Sequence, residues 1–345
     1  MWFPRIPSTR HLVLAVITST ALLAAMNGLA APVSAQRATT QKAAKPAQTP
    51  DRILYAKLES RSLAGIAGGE SATRTLLVYL PPSYYTHPER RFPVIYFLHG
   101  HGDRSVITND PRALDGLMAT ADMKEFIVVQ PGCANTFYVN STASGNWEDF
   151  IVKDVVDWAD TKLRTIAKPS ARGISGFSMG GFGAINLALR HPDVFQATYA
   201  IAPGLVDNSA LKSMHESWAG SSIANDYSAA FSPDPANPEQ AQIPRFDGTP
   251  ADRAIIGKWE DGFGNLDKKL AAYKALNKPL AGIGFQVGSA DYGWLVQGTV
   301  LLDQILNREG IAHRFEMTED QHTLRNEFAT TRIIPFFSVH LDAAQ

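Results

Sequence analysis

The chain has 345 residues and a formal net charge of −1, with 19% charged residues, a balance that gives no electrostatic footprint for nucleic acid or an acidic surface. Its only cysteine, Cys133, excludes an intrachain disulfide and reads as a small buried hydrophobe, so the fold must rest on its own core.

Arg5, Arg10 and His11 precede the apolar segment Leu12 to Met26, and Val33-Ser34-Ala35 then supplies small residues. This is the order of a secretory signal peptide, with cleavage expected after Ala35 and a secreted or periplasmic product. The apolar stretch is shorter than the ~20 residues a spanning helix needs, so no lasting membrane insertion is expected. Residues 36–51 lack large apolar side chains up to the start of the fold and read as a disordered linker.

The remaining chain, residues 52–345, alternates strand-like and helix-like patterns. Ile53 to Leu58 and Thr75 to Leu80 read as an antiparallel opening pair, joined by a turn around Gly65, Gly68 and Gly69. Pro93 to Leu98 and Phe126 to Val129 are short apolar runs of the kind buried on both faces of a parallel sheet. Further strands are expected at Arg172 to Gly176, Ala197 to Ala202, Gly282 to Val287 and His313 to Met317. Helical spacing is expected over Trp147 to Leu163, Trp294 to Leu306 and Glu327 to Val339, with Pro335 expected to kink or interrupt the last. Alternation of this kind predicts an α/β fold whose mostly parallel central sheet is flanked by helices.

Residues 206–259 break the rhythm with five prolines among polar residues. A long irregular insertion leaving the carboxyl edge of a sheet is expected to cap a site there, or else to decorate the surface.

Gly176-Phe177-Ser178-Met179-Gly180-Gly181 stands between a strand and a helix, the context of a nucleophile elbow. A phosphate loop would need a lysine after its last glycine, where Phe182 stands, and a dinucleotide fingerprint lacks its third glycine. Ser178 is therefore the candidate nucleophile. A serine needs a base, and the base an orienting acid. Asp291 lies just beyond the strand Gly282 to Val287, and His322 in the loop after His313 to Met317, which reproduces the serine, acid, histidine order of α/β hydrolases. The Met179 amide is one candidate oxyanion donor. The other falls in His99-Gly100-His101-Gly102, with the amides of His101 and Gly100 both open. Two histidines with Asp103 as the sole nearby carboxylate make a poor zinc site, and no metal or cofactor is expected. Tyr138, Asn140, Trp147 and Trp294 follow strand ends and are candidates for substrate contact, with core packing the alternative for the tryptophans.

These motifs resemble the esterase D-like branch of the α/β-hydrolase fold, which includes feruloyl esterases, S-formylglutathione hydrolases, enterochelin esterases and mycolyltransferases. The matching pieces are Val78 to Tyr84, Leu98-His99-Gly100, Glu148 to Ile151, Gly176 to Ala184, Leu187 to Asp193, Gly288 to Asp291 and His322-Thr323. The resemblance implies His101 as the second oxyanion donor. It also implies a small-molecule or saccharide-linked ester as substrate, with hydrolysis or acyl transfer to an alcohol or sugar as the outcome. Gln321 stands where the family commonly has glycine, and His101 and Asp103 stand where many members have glycines. Neither departure removes a catalytic group. A binding module on the same fold would be expected to have lost a member of the triad, and all three are present in the sequence.

Overall fold

The structure is a computed structural model that describes residues 51–65, 71–102, 111–120, 122–237 and 240–343. The expected signal peptide and all of the linker but Asp51 lie outside those residues, as do Gly68 and Gly69 of the first turn.

Eight strands form one sheet: β1 (Ile53–Glu59), β2 (Thr73–Tyr79), β3 (Val94–Leu98), β4 (Ile127–Pro131), β5 (Arg172–Phe177), β6 (Ala197–Ile201), β7 (Gly282–Gly288) and β8 (Arg314–Thr318). Their spatial order is β1-β2-β4-β3-β5-β6-β7-β8. Only β2 runs against its neighbours; the remaining pairings, from β4 to β8, are parallel. The central strands are buried along their whole length, which is why they read as unbroken apolar runs rather than alternating ones.

Side-chain alternation splits the core in two. Val94, Tyr96 and Leu98 of β3 point into one apolar cluster, with Trp147, Phe150, Leu187 and Leu302. Ile95 and Phe97 point into the other, with Leu114, Ile334 and Phe337. Helices therefore cover both faces, and the chain adopts the α/β-hydrolase fold. The carboxyl ends of the parallel strands open on one edge, where ligands bind in open α/β sheets.

Several expectations meet the structure in altered form. The helix expected from Trp147 is continuous to Lys162 but carries a π-helical turn over Phe150–Val155, which buries Phe150, Ile151, Val152 and Val155 together. Pro335 does not end its helix: the chain stays helical through it to His340, and a π turn at Ala329–Ile333 just before Ile334–His340 widens the turn that precedes the proline. Helices at Pro111–Met118 and Leu266–Ala275 were not anticipated.

The insertion is more ordered than its prolines suggest. It contains helices Leu211–Ser217, Ile223–Phe231 and Pro250–Glu260. Their aromatic residues close on one another: Tyr227 lies 4.5 Å from Phe231, 4.9 Å from Trp259 and 5.3 Å from Trp218, centroid to centroid. The Tyr227 hydroxyl donates to the Trp259 carbonyl and accepts from the Phe263 amide. Asp252, buried, accepts the amides of Arg245 and Asp247 and so pins the proline-rich approach to the last helix.

Candidate active site

Ser178 sits between the end of β5 and the helix Met179–Arg190, at φ +56° and ψ −115°. A non-glycine residue reaches this region only when its surroundings force it there. The forcing is visible on both sides. The Ser178 amide donates to the Ile201 carbonyl, and its carbonyl accepts from Phe182 and Gly204. A β-carbon at Gly176 would overlap the Gly180 carbonyl, and one at Gly180 would overlap the Leu98 carbonyl. Glycine at both positions lets β3, β5 and the helix meet, and the serine side chain is turned out at the sheet edge.

His322 reaches this serine from 144 residues away. Its Nε2 lies 2.9 Å from Ser178 Oγ, and its Nδ1 lies 3.0 Å from each oxygen of Asp291. A carboxylate only accepts, so Nδ1 carries the proton and Nε2 presents its lone pair to the serine hydroxyl. The Asp291 side chain is fully buried, and its Oδ1 also accepts the Tyr292 amide at 2.6 Å. The loops that carry Asp291 and His322 are laced together: the Ser289 amide donates to the Thr318 carbonyl, and the Ala290 amide to the Asp320 carbonyl. Beyond His322, Arg325 pairs with Asp320 and with Glu327, closing the loop on itself. The imidazole packs on Phe177 at 4.9 Å and faces Tyr292 at 5.3 Å.

Met179 is the first residue of the helix that Ser178 opens, so its amide belongs to the unsatisfied first turn. The segment His99–Gly102 follows β3 and runs beside the elbow. His99 turns its ring inward, with Nε2 3.0 Å from the Cys133 carbonyl. His101 turns its ring toward the insertion, with Nε2 2.7 Å from Asp226 Oδ2. The two imidazoles thus have separate partners. Among the described residues no group of three or more His, Cys, Asp or Glu side chains gathers to hold a metal ion.

The four residues proposed for substrate contact separate. Tyr138 and Trp147 are fully buried and are corrected to core residues. The Tyr138 hydroxyl donates to the His99 carbonyl from beneath the loop, and the Trp147 indole donates to the Ser144 carbonyl under the Arg74 guanidinium. Asn140 is exposed, but its Oδ1 accepts the Asp149 amide and caps the helix that follows; it borders a cavity lined by Glu148, Asn186 and Arg190 rather than by the triad. Of the four, Trp294 alone joins the His322 neighbourhood, stacked on Tyr292, which faces that ring, and on Phe263. Tyr292, which sequence reasoning passed over, is the ring between Trp294 and His322, and it is 53% exposed. Its position directly after Asp291 was the available signal. Cys133 is half-buried against the core, and burial pushes its thiol well up, away from nucleophilic chemistry.

Two of the sequence blocks that carried the family resemblance prove to touch. Glu148 accepts from His191 Nε2 at 2.6 Å and from Arg190 Nε at 3.1 Å, tying the helix after the elbow to the one that begins at Trp147.

The sequence profile of the family described as "Putative esterase" matches residues 71–282, well over half of the chain. The chain belongs to this esterase family. Esterase Rv1288 of Mycobacterium tuberculosis (strain ATCC 25618 / H37Rv) is 34% identical over 120 residues, covering 33% of this chain and 25% of the relative. An endo-1,4-beta-xylanase/feruloyl esterase of Xylanibacter ruminicola is 31% identical over 133 residues, covering 35% of this chain and 18% of that protein. The chain thus matches a quarter or less of the length of these relatives. Among solved structures, an S-formylglutathione hydrolase from Staphylococcus aureus superposes with a TM-score of 0.57 at 17% identity, over 84% of this chain and 98% of that one; this likeness concerns the fold. No helix among the described residues is long and apolar enough to cross a membrane.

Proposed function

We propose that this esterase-family chain is a serine carboxylic ester hydrolase working through Ser178, His322 and Asp291. The observation that carries the reading is the bridging imidazole, hydrogen-bonded to the serine on one side and to a buried carboxylate on the other. As the Ser178 oxygen attacks an ester carbonyl, His322 Nε2 takes its proton, and Asp291 stabilises the imidazolium without being protonated itself. The amides of Met179 and His101 are the proposed donors to the developing oxyanion. His322 then passes the proton to the departing alkoxide, leaving an acyl-enzyme. Water, deprotonated by the same imidazole, releases the acid.

The Tyr292 and Trp294 rings beside His322 suit an aromatic or sugar-linked ester, and the feruloyl esterase name of one relative agrees with that class. Export is proposed from the leader-like residues 1–35 alone, and the insertion is proposed as a cap because it packs beside the His99–Gly102 loop.

The test is turnover of aryl and hydroxycinnamoyl esters with product analysis, with and without an added alcohol or trehalose. Equimolar acid and alcohol, abolished by Ser178→Ala, supports hydrolysis. A transferred acyl group as the main product would reassign the enzyme as an acyltransferase. Turnover that survives Ser178→Ala would overturn the triad.

A further inference from the structure

The insertion contributes no member of the triad, yet one of its carboxylates reaches the loop that carries the proposed second oxyanion donor. Asp226, on the helix Ile223–Phe231, accepts from three groups on a single oxygen: His101 Nε2 at 2.7 Å, Asn135 Nδ2 at 3.3 Å and the Ser222 hydroxyl at 3.2 Å. Asn135 turns its other side-chain atom back to the loop, and its Oδ1 accepts the Gly102 amide at 2.8 Å. Asp226 therefore holds residue 101 directly and residue 102 through one intermediary.

The local sequence explains why such a clamp matters. His101 stands between Gly100 and Gly102, and Gly102 has φ +64°. Glycines on both sides leave the orientation of the peptide units around His101 undetermined by local sterics. The neighbouring peptide is fixed from below, where Tyr138 donates to the His99 carbonyl and the His99 ring sits on Cys133. The carbonyl of the peptide that carries the His101 amide is held by the His99 ring, whose Nδ1 lies 2.8 Å from the Gly100 oxygen; the His101 side chain, among its described contacts, meets Asp226 and lies beside the Phe137 ring. A carboxylate bond to an imidazole N–H is charge-assisted and directional, which suits it to setting a backbone angle.

We propose that Asp226 is a positioning residue: through His101 and Asn135 it aims the His101 amide at the oxyanion, so that docking of the insertion completes the active site. This inference rests on the triad and oxyanion reading above and adds to it a role for the insertion in the rate of the chemical step, beyond covering the site.

The experiment compares wild type with Asp226→Ala, Asp226→Asn and His101→Phe, using an activated aryl ester and an aryl trifluoromethyl ketone that forms an oxyanionic adduct with the nucleophile. Displacing a catalytic donor by about an ångström costs on the order of 100-fold, so Asp226→Ala is expected to lower kcat about 10- to 100-fold. KM should stay within about twofold, because the ground-state carbonyl makes little use of the donor. Affinity for the ketone should fall in the same proportion as kcat. Asp226→Asn, which still accepts from His101, should recover most of the loss. His101→Phe, which keeps the ring but removes the donor, should reproduce the Asp226→Ala effect, and the two together should be no worse than either alone. It also serves as the readout if Asp226→Ala fails to fold.

A lower melting temperature with unchanged kcat and ketone affinity would reduce Asp226 to an anchor of the insertion and overturn the proposal. So would a loss of kcat with ketone affinity retained. Ser178→Ala, run in parallel, separates this from the underlying reading: an inert Ser178→Ala beside a normal Asp226→Ala sinks the tether alone, whereas an active Ser178→Ala sinks both.

Discussion

Gly288, the last residue of β7, sits so close to the Asp320 carbonyl that a β-carbon there would overlap the oxygen. The Asp291 loop and the His322 loop are thus packed backbone on backbone, and the distance between Asp291 and His322 is set by that contact as much as by their own hydrogen bonds. Gly288→Ala should push the two loops apart. Overpacking of this kind costs typically 1–3 kcal/mol, and a shift of about an ångström at His322 should lower kcat on the order of 100-fold. Urea denaturation and steady-state kinetics on the same preparation check both numbers; a variant with normal kcat would show that the His322 loop is positioned without Gly288.

Ser178→Ala and His322→Ala should each lower turnover by roughly six orders of magnitude, and the double variant no further, because the residues act as one unit. Asp291→Asn should cost about 10⁴-fold, by favouring the wrong imidazole tautomer while leaving the serine in place. The check is kcat/KM for the four variants with one aryl ester.

Tyr292 offers an exposed ring between the His322 imidazole and Trp294. A ring pair is worth about 0.5–1.5 kcal/mol, so Tyr292→Ala should raise KM for hydroxycinnamoyl esters about three- to tenfold and leave acetyl esters nearly unaffected. Equal effects on both would remove Tyr292 from the acyl subsite.

Glu148 supplies the pH test. Burial alone would raise its carboxyl, but the bonds from His191 and Arg190 outweigh burial and hold it below the usual carboxylate range. A group depressed on folding contributes stability above its unfolded pKa of about 4.3, and that contribution is lost as pH falls through the folded value. Glu148→Gln should therefore destabilise by about 2 kcal/mol at pH 7, most of it from the His191 bond because Arg190 is solvent-screened. The gap from wild type should narrow as the pH falls below about 4. Urea midpoints at pH 7 and pH 3.5 measure it; a constant gap would mean the loss is steric.

The sheet was legible because its central strands are buried on both faces, and eight apolar runs correspond to eight strands with boundaries shifted by one or two residues. The three-residue constellation was legible for a different reason: its members occupy strand ends in a fixed chain order. Tyr138 and Trp147 were misplaced because proximity to a strand end in sequence does not give the direction of a side chain. Both turn under the loops instead of over them. The helices of the insertion were obscured by its prolines, most of which fall in the connections or at a helix start such as Pro250. Asp226 could not be read at all, since its partner His101 lies 125 residues away on a different element.

The most direct test of the central claim is a fluorophosphonate adduct mapped by peptide mass spectrometry on active enzyme. The imidazole bridge predicts a single adduct at Ser178, formed in parallel with loss of esterase activity and slowed by orders of magnitude in His322→Ala. Complete inactivation with the adduct on another residue, or labelling of Ser178 that proceeds at the wild-type rate without His322, would contradict it.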